Sequence, residues 1–93
     1  MFDVNEYFDG RVKSITFQAE GGRATLGVMA PGEYTFGTST HEIMTVVSGG
    51  LEVLLPENRE WREYGPGETF EVDSDKKFKV NVKTDTAYLC LYR

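Results

Sequence analysis

Cysteine and histidine each occur once in this chain, as Cys90 and His41. A lone cysteine forms no internal disulfide, and its place in Tyr88-Leu89-Cys90-Leu91-Tyr92 marks a buried strand residue of a reducing compartment. A lone histidine cannot assemble a His-rich site for zinc, iron or copper within one chain. Basic charge is scarce as well, with 10 Lys/Arg against 15 Asp/Glu and a net charge of −5. Nucleic acid is therefore a poor partner, because phosphate-backbone binding wants a basic stripe. A small anion needs only two or three local cations with hydroxyl or amide donors, and it stays open. Long apolar runs are missing too: the uncharged stretch Ile43 to Leu51 is about half of a membrane span. Met1 to Asn5 carries no basic, apolar leader, which points to an unexported, cytoplasmic protein with no membrane partner.

What is present is core-forming material of β character. Hydrophobic residues make up 40% of the chain, and six Phe, five Tyr and one Trp exclude a disordered tail. Nine Val and nine Thr outnumber four Ala and six Leu, and no window shows a helical stripe, so propensity favours strands throughout. A chain of 93 residues is one domain, expected over 1–93, and its small core favours burial of surface by self-association into a dimer. Strands are expected at Arg11–Gln18, Arg23–Ala30, Glu33–Phe36, Glu42–Ser48, Leu51–Leu55, Trp61–Tyr64, Glu68–Val72, Phe78–Val82 and Ala87–Tyr92. Glu20-Gly21-Gly22, Pro31-Gly32, Gly49-Gly50 and Gly65-Pro66-Gly67 supply the turns. Strands this short and this regularly spaced close into a small barrel or jelly roll.

Period-two alternation then nominates the side chains that could carry chemistry. Lys13 shares a face with Ile15 and Phe17, and Arg23 shares one with Thr25, Gly27 and Met29, so both cations are expected to point inward. A cation on an apolar face needs an anion, either an internal carboxylate or a bound ligand, unless it snorkels to solvent. Glu42 opens the most apolar strand on the face of Met44, Val46 and Ser48, where it could pair with Arg23 or accept from sugar hydroxyls. Tyr34, Phe36, Tyr88 and Tyr92 offer aromatic faces for core packing or for stacking a flat heterocycle. Thr38, Ser39, Thr40 and Thr45 could donate to an anion, and His41 is expected to be a solvated loop histidine. Glu57 to Asp75 is a solvated acidic face, and Lys76, Lys77, Lys79 and Lys83 are expected to guard strand edges.

The run Gly32-Glu33-Tyr34-Thr35-Phe36, Glu42 with six residues to Gly49, and Gly65-Pro66-Gly67 resemble the two motifs of the cupin superfamily. Its metal-binding histidines would fall in Thr35 to Thr38 and near Phe78, where none stands. The resemblance implies an all-β, single-domain cupin-like β-barrel (jelly roll) without its metal. More specifically, the chain resembles the pyrimidine/purine nucleoside phosphorylase family of small cupin-like proteins. The likeness runs through Asn5-Glu6-Tyr7-Phe8, Gly10 to Ile15, Gly22-Arg23-Ala24, Gly27-Val28-Met29, Gly32 to Phe36, Met44-Thr45-Val46, Ser48-Gly49, Leu54-Leu55-Pro56 and Tyr88-Leu89-Cys90. It departs at Gly37 to His41, Asn58 to Glu63 and Leu91-Tyr92-Arg93.

This family resemblance implies phosphorolysis of a broad range of purine and pyrimidine nucleosides to free base and α-D-ribose 1-phosphate, by a homodimer. No cofactor or metal is expected, and inorganic phosphate is the co-substrate. Phosphate must be held beneath C1′ of the ribose while the glycosidic bond breaks through an oxocarbenium-like state. In that scheme Lys13, Arg23, Thr38 and Ser39 are the candidate phosphate ligands, and Glu42 with Arg23 the candidate catalytic pair. Glu42 would also grip the ribose, and Tyr34, Phe36 or Tyr88 would stack on the base. The alternative class is a non-catalytic cupin-type sensor or carrier of a small sugar, nucleotide or anion. A metal-dependent oxygenase or isomerase is disfavoured by the missing histidines.

Overall fold

The computed structural model describes residues 1–93 and contains ten strands and no helix. They are β1 (Val4–Tyr7), β2 (Val12–Ala19), β3 (Gly22–Met29), β4 (Gly32–Gly37), β5 (Glu42–Ser48), β6 (Leu51–Leu54), β7 (Arg62–Tyr64), β8 (Thr69–Val72), β9 (Lys77–Val82) and β10 (Thr86–Tyr92). All nine expected strands are present with ends shifted by a residue or so, and Glu42–Ser48 is unshifted. The tenth, β1, was not expected. Its Val-Asn-Glu-Tyr sequence buries little, and it is held as an edge strand by its antiparallel register with β2.

Two antiparallel sheets result, a six-stranded one in the order β1-β2-β3-β10-β5-β8 and a four-stranded one in the order β4-β9-β6-β7. They face each other as a jelly-roll-like sandwich, the second of the two expected forms, and the strand ladder does not close into a continuous barrel. One cluster of 15 buried residues fills the space between them. Met29, Met44, Val46 and Phe70 come from the larger sheet, and Leu51, Val53, Phe78 and Val80 from the smaller. An aromatic chain links the layers: Tyr64 to Phe70, Phe70 to Phe78 and Phe78 to Phe36 lie at ring separations of 4.9, 6.0 and 5.6 Å.

Two expectations about charge change here. Lys77 and Lys79 lie on β9, a central strand between β4 and β6, so they guard no edge; they are exposed on its outer face. Lys76 pairs with Glu57 at 3.4 Å and Lys83 with Glu52 at 3.1 Å, surface contacts that contribute little. His41 is not a free loop histidine. Its Nε2 lies 2.7 Å from Glu71 Oε1 and its Nδ1 3.1 Å from Asp73 Oδ1, which ties the start of β5 to β8 and the turn after it. Both ring nitrogens face acceptor-only carboxylates, so the charged, doubly protonated ring satisfies both contacts. The Glu71 hydrogen bond, reinforced by Asp73, raises the His41 pKa above its ordinary value.

The outer face of the larger sheet is apolar and uncovered. Ile15, Leu26, Val28 and Val47 are 45 to 54% exposed, and Val4 flanks them on β1. Its inner face contains one close approach. A Cβ on Gly27 would lie 2.5 Å from both the Tyr88 hydroxyl oxygen and the ring carbon that bears it, so only glycine lets Tyr88 lie across β3.

Gly27→Ala is expected to destabilise the fold by about 1–3 kcal/mol through overpacking, read as a lower urea midpoint at unchanged slope. An unchanged midpoint would show that Tyr88 moves aside freely. For His41 the raised folded-state pKa places its stabilisation below pH 6.5, with loss as pH rises through the folded value. The stability difference between wild type and His41→Gln is therefore expected to be larger at about pH 5.5 than at about pH 8.5, and growth in the opposite direction would refute the clamp.

Candidate active site

Cross-strand register lays the inner face of the larger sheet in rows. One row runs Asn5, Ser14, Gly27, Tyr88, Val46 across β1, β2, β3, β10 and β5. The next runs Thr16, Thr25, Cys90, Met44, Phe70 from β2 to β8. In the last, Tyr92 stands beside Glu42, and the guanidinium of Arg23 lies 4.6 Å from the centre of the Tyr92 ring. The first two rows turn from small and polar on β1, β2 and β3 to apolar on β5 and β8, while the third keeps a carboxylate on β5, so the core occupies one end of the inner face and a polar hollow the other.

That hollow is a cavity of about 410 Å³, within the range of small-molecule sites. Its polar floor is made by Asn5, Ser14, Thr16, Arg23, Thr25 and Glu42, and its aromatic wall by Phe8, Phe36, Phe78, Tyr88 and Tyr92. Phe8 closes over Phe36 edge-on at 5.5 Å and lies 4.9 Å from Tyr34. It does so from a left-handed backbone, φ 53°, followed by Asp9 and Gly10 of the same hand. A bulky residue rarely adopts that conformation, so its packing on Tyr34 and Phe36 supports the turn.

Arg23 and Glu42 are the charged residues of the lining. Arg23 makes no salt bridge: its charge rests on the Tyr92 face. Glu42 is half-buried and accepts a hydrogen bond from the Cys90 thiol at 3.5 Å. Burial raises its pKa, an effect opposed by the Cys90 hydrogen bond and the Arg23 charge. Burial likewise pushes the Tyr88 phenol up to about 12, and burial followed by the Glu42 charge pushes the Cys90 thiol up to about 12. Burial raises Tyr92 further, and its hydroxyl bonds that of Thr25 at 3.0 Å. These groups are neutral hydrogen-bonding partners near neutral pH, and Cys90 is no thiolate nucleophile. A free cation and a desolvated carboxylate therefore flank one aromatic ring, an arrangement able to hold an anion beside a polyhydroxylated ligand.

Of the residues singled out from sequence, Arg23, Phe36, Ser39, Glu42 and Tyr88 line this cavity together. Lys13, Tyr34 and Thr38 do not. Lys13 lies on the outer face, 3.4 Å from Glu6 Oε1, because the inner face of β2 is Val12, Ser14 and Thr16. The uncovered apolar face had supplied Ile15 as a false guide to the interior. Tyr34 is buried beneath Phe8 and donates to the Ala30 carbonyl at 2.6 Å, so it supports the wall from behind. Thr38 is buried in a structural knot, donating to Asp73 O at 2.6 Å and accepting from Lys76 N at 3.0 Å. Thr45 bonds Thr69 at 2.8 Å away from the cavity. Ser48, expected beside Val46, is exposed where the β5–β10 register shifts. Asn5, Ser14, Thr16 and Thr25 were missed as site residues, since short polar side chains in alternation resemble a solvent face, and Phe8 because it lies in a turn outside the expected strands.

Comparison with known proteins matches this architecture over its whole length. The profile of the pyrimidine/purine nucleoside phosphorylase family matches residues 2–92. Proteins of that name from Alcanivorax borkumensis and Pseudomonas putida are 62% and 60% identical, covering 99% and 100% of this chain and 98% and 99% of their own. A solved Vibrio parahaemolyticus protein of unknown function superimposes with a TM-score of 0.93 at 47% identity, over 97% of this chain and 96% of that one. A putative ethanolamine utilization protein from Salmonella typhimurium shares the fold at a TM-score of 0.75 and 16% identity, over 99% and 93% of the two chains. The chain thus belongs to the pyrimidine/purine nucleoside phosphorylase family.

Proposed function

We propose that this cavity carries out phosphorolysis of purine and pyrimidine nucleosides, releasing the base and α-D-ribose 1-phosphate. The observation that carries the reading is the pair of opposite charges, Arg23 and Glu42, which form no salt bridge and flank Tyr92 in a cavity with an aromatic wall. Arg23 holds phosphate, with Ser39 at the rim. Glu42 accepts from the ribose hydroxyls. Phe36 and Tyr88 stack on the base without reading its edges, which suits purines and pyrimidines alike. A phosphate oxygen bonds C1′ as the C1′–N bond breaks, and the bonding pair and one proton end on the base. The phosphate charge stabilises the developing sugar cation, and positioning supplies most of the acceleration. No histidine lines the cavity, which fits a reaction without a histidine-held metal; in this reading phosphate is the co-substrate and no cofactor takes part. No helix is long and apolar enough to cross a membrane, and the reading includes a cytoplasmic location.

The reading also includes one domain over 1–93 and a homodimer formed through the uncovered face of the larger sheet. Ile15, Leu26, Val28 and Val47 make that face self-complementary in chemistry, and it lies opposite the cavity.

The decisive assay is base release from adenosine, guanosine, uridine and cytidine after chelator treatment, with and without phosphate. Phosphate-dependent release with ribose 1-phosphate formed is expected, and saturable nucleoside binding without turnover would refute the enzyme in favour of a carrier. Arg23→Ala is expected to raise KM for phosphate about 10- to 100-fold. Glu42→Gln is expected to lower kcat/KM about 100-fold and to abolish the acid limb of the pH profile. That limb follows from an ionised Glu42 acting as acceptor: activity falls as pH drops through a carboxyl pKa raised above 4.5. For the dimer, Leu26→Glu is expected to halve the sedimenting mass, and a wild type that sediments as a monomer would refute the interface.

A further inference from the structure

We infer that Asn5, on the edge strand β1, is a positioning residue that turns the hydroxyl protons of Ser14 and Thr16 toward the cavity, completing with Arg23 a donor set for inorganic phosphate. This inference rests on the phosphorolysis reading and locates the co-substrate within it.

The Asn5 side-chain amide donates to Ser14 Oγ at 3.2 Å and to Thr16 Oγ1 at 3.0 Å. Ser14 and Thr16 stand two residues apart on β2, so their side chains share one face, and one amide nitrogen spans both with its two protons. A hydroxyl whose oxygen accepts from Asn5 has its own proton free to point elsewhere. For Thr16 the neighbouring hydroxyl across the strands is Thr25, already bonded to Tyr92 at 3.0 Å. For Ser14 the neighbour beyond Gly27 is the Tyr88 phenol, neutral near pH 7 and part of the same lining. Asn5, Ser14, Thr16, Arg23 and Tyr88 all line the one cavity.

The result is a sorted site. Hydroxyl protons and the Arg23 guanidinium gather on the β1–β2–β3 side, and the Glu42 carboxylate stands across Tyr92 on β5. Phosphate, an acceptor with several oxygens, fits the first side. The ribose hydroxyls, as donors, fit the second. Lys13 faces away from the cavity, so its expected second cation is replaced here by oriented neutral donors, which bind an anion without adding charge.

The test is a double-mutant cycle read by steady-state kinetics and by calorimetric titration of inorganic phosphate, with thermal unfolding to verify the fold. Asn5→Ala is expected to raise KM and Kd for phosphate about 5- to 30-fold while KM for nucleoside changes less than about 2-fold. In a Ser14→Ala/Thr16→Val background the same substitution is expected to add nothing, because the groups it orients are gone. Asn5→Asp, equal in shape but acceptor-only, is expected to weaken phosphate at least as much as Asn5→Ala. Equal rises in both KM values, full additivity in the cycle, or an unchanged phosphate Kd would each overturn the inference. If the wild type proves to have no turnover, calorimetry still decides: phosphate binding weakened in Asn5→Ala leaves the donor set standing while the phosphorolysis reading falls.

Discussion

Everything in this molecule depends on where β10 lies. The last strand is inserted between β3 and β5, so within the larger sheet the first hairpin and β5 are joined only by the ladders of residues 86–92. Because side chains alternate across a strand, β10 delivers Tyr88, Cys90 and Tyr92 to the inner face together. Those three residues are both core and site: Tyr88 and Cys90 are buried, and Tyr92 presents its ring to Arg23 and its hydroxyl to Thr25. A slip of one residue would exchange them for Ala87, Leu89 and Leu91, closing the polar hollow with aliphatic side chains. The site therefore has no scaffold apart from the fold. The contacts that join β3 to β10 and β5 span large sequence separations, Thr25 meeting Tyr92 and Glu42 meeting Cys90.

Charge follows a second constraint. The chain is acidic overall, yet the cavity holds one cation that nothing neutralises directly and one carboxylate whose burial resists ionisation. A direct Arg23–Glu42 ion pair would satisfy both and leave little for a ligand. Tyr92 prevents this by standing beside Glu42 in register while its ring carries the guanidinium. Cys90 performs the complementary task, since its neutral thiol donates to Glu42 without supplying a counter-charge. The carboxylate is thereby oriented but not spent, and the electrostatic work of the cavity is left for whatever enters it.

Much of this was legible in the sequence, for a physical reason. Val/Thr-rich runs punctuated by Gly-Gly and Gly-Pro-Gly turns leave little alternative to short antiparallel strands, and Glu42, Met44 and Val46 do share the inner face. Arg23 was legible for the same reason, standing in alternation with Met29. Lys13 was not, because β2 separates two apolar environments: Val12 faces the core, and Ile15 faces the uncovered side of the sheet. Alternation tells which residues travel together; it does not tell which of two apolar faces is inside. Thr38 and His41 failed differently. Their partners, Asp73, Lys76 and Glu71, are some thirty residues away, and no local pattern announces a hydroxyl or imidazole that is consumed in a tertiary clamp.

The polar floor was the least legible feature, and its origin lies in an absent side chain. Any residue larger than glycine at position 27 would occupy the space of the Tyr88 phenol and separate β10 from β2 within that row. With glycine there, the ring lies over β3 and its hydroxyl meets the Ser14 end of the row, so Asn5, Ser14 and Tyr88 form one polar line across four strands. The line matters because a buried hydroxyl without a partner is costly, whereas the Ser14 oxygen, accepting from Asn5, is satisfied and holds a defined direction. Small and polar residues at Ser14, Thr16, Thr25 and Gly27 thus weaken the core locally and in exchange keep a hollow of hydrogen-bonding groups open inside a chain of 93 residues. The aromatic residues opposite, Phe36 and Phe78, supply the buried area that the floor gives up, which explains why the wall of the cavity is continuous with the core of the fold.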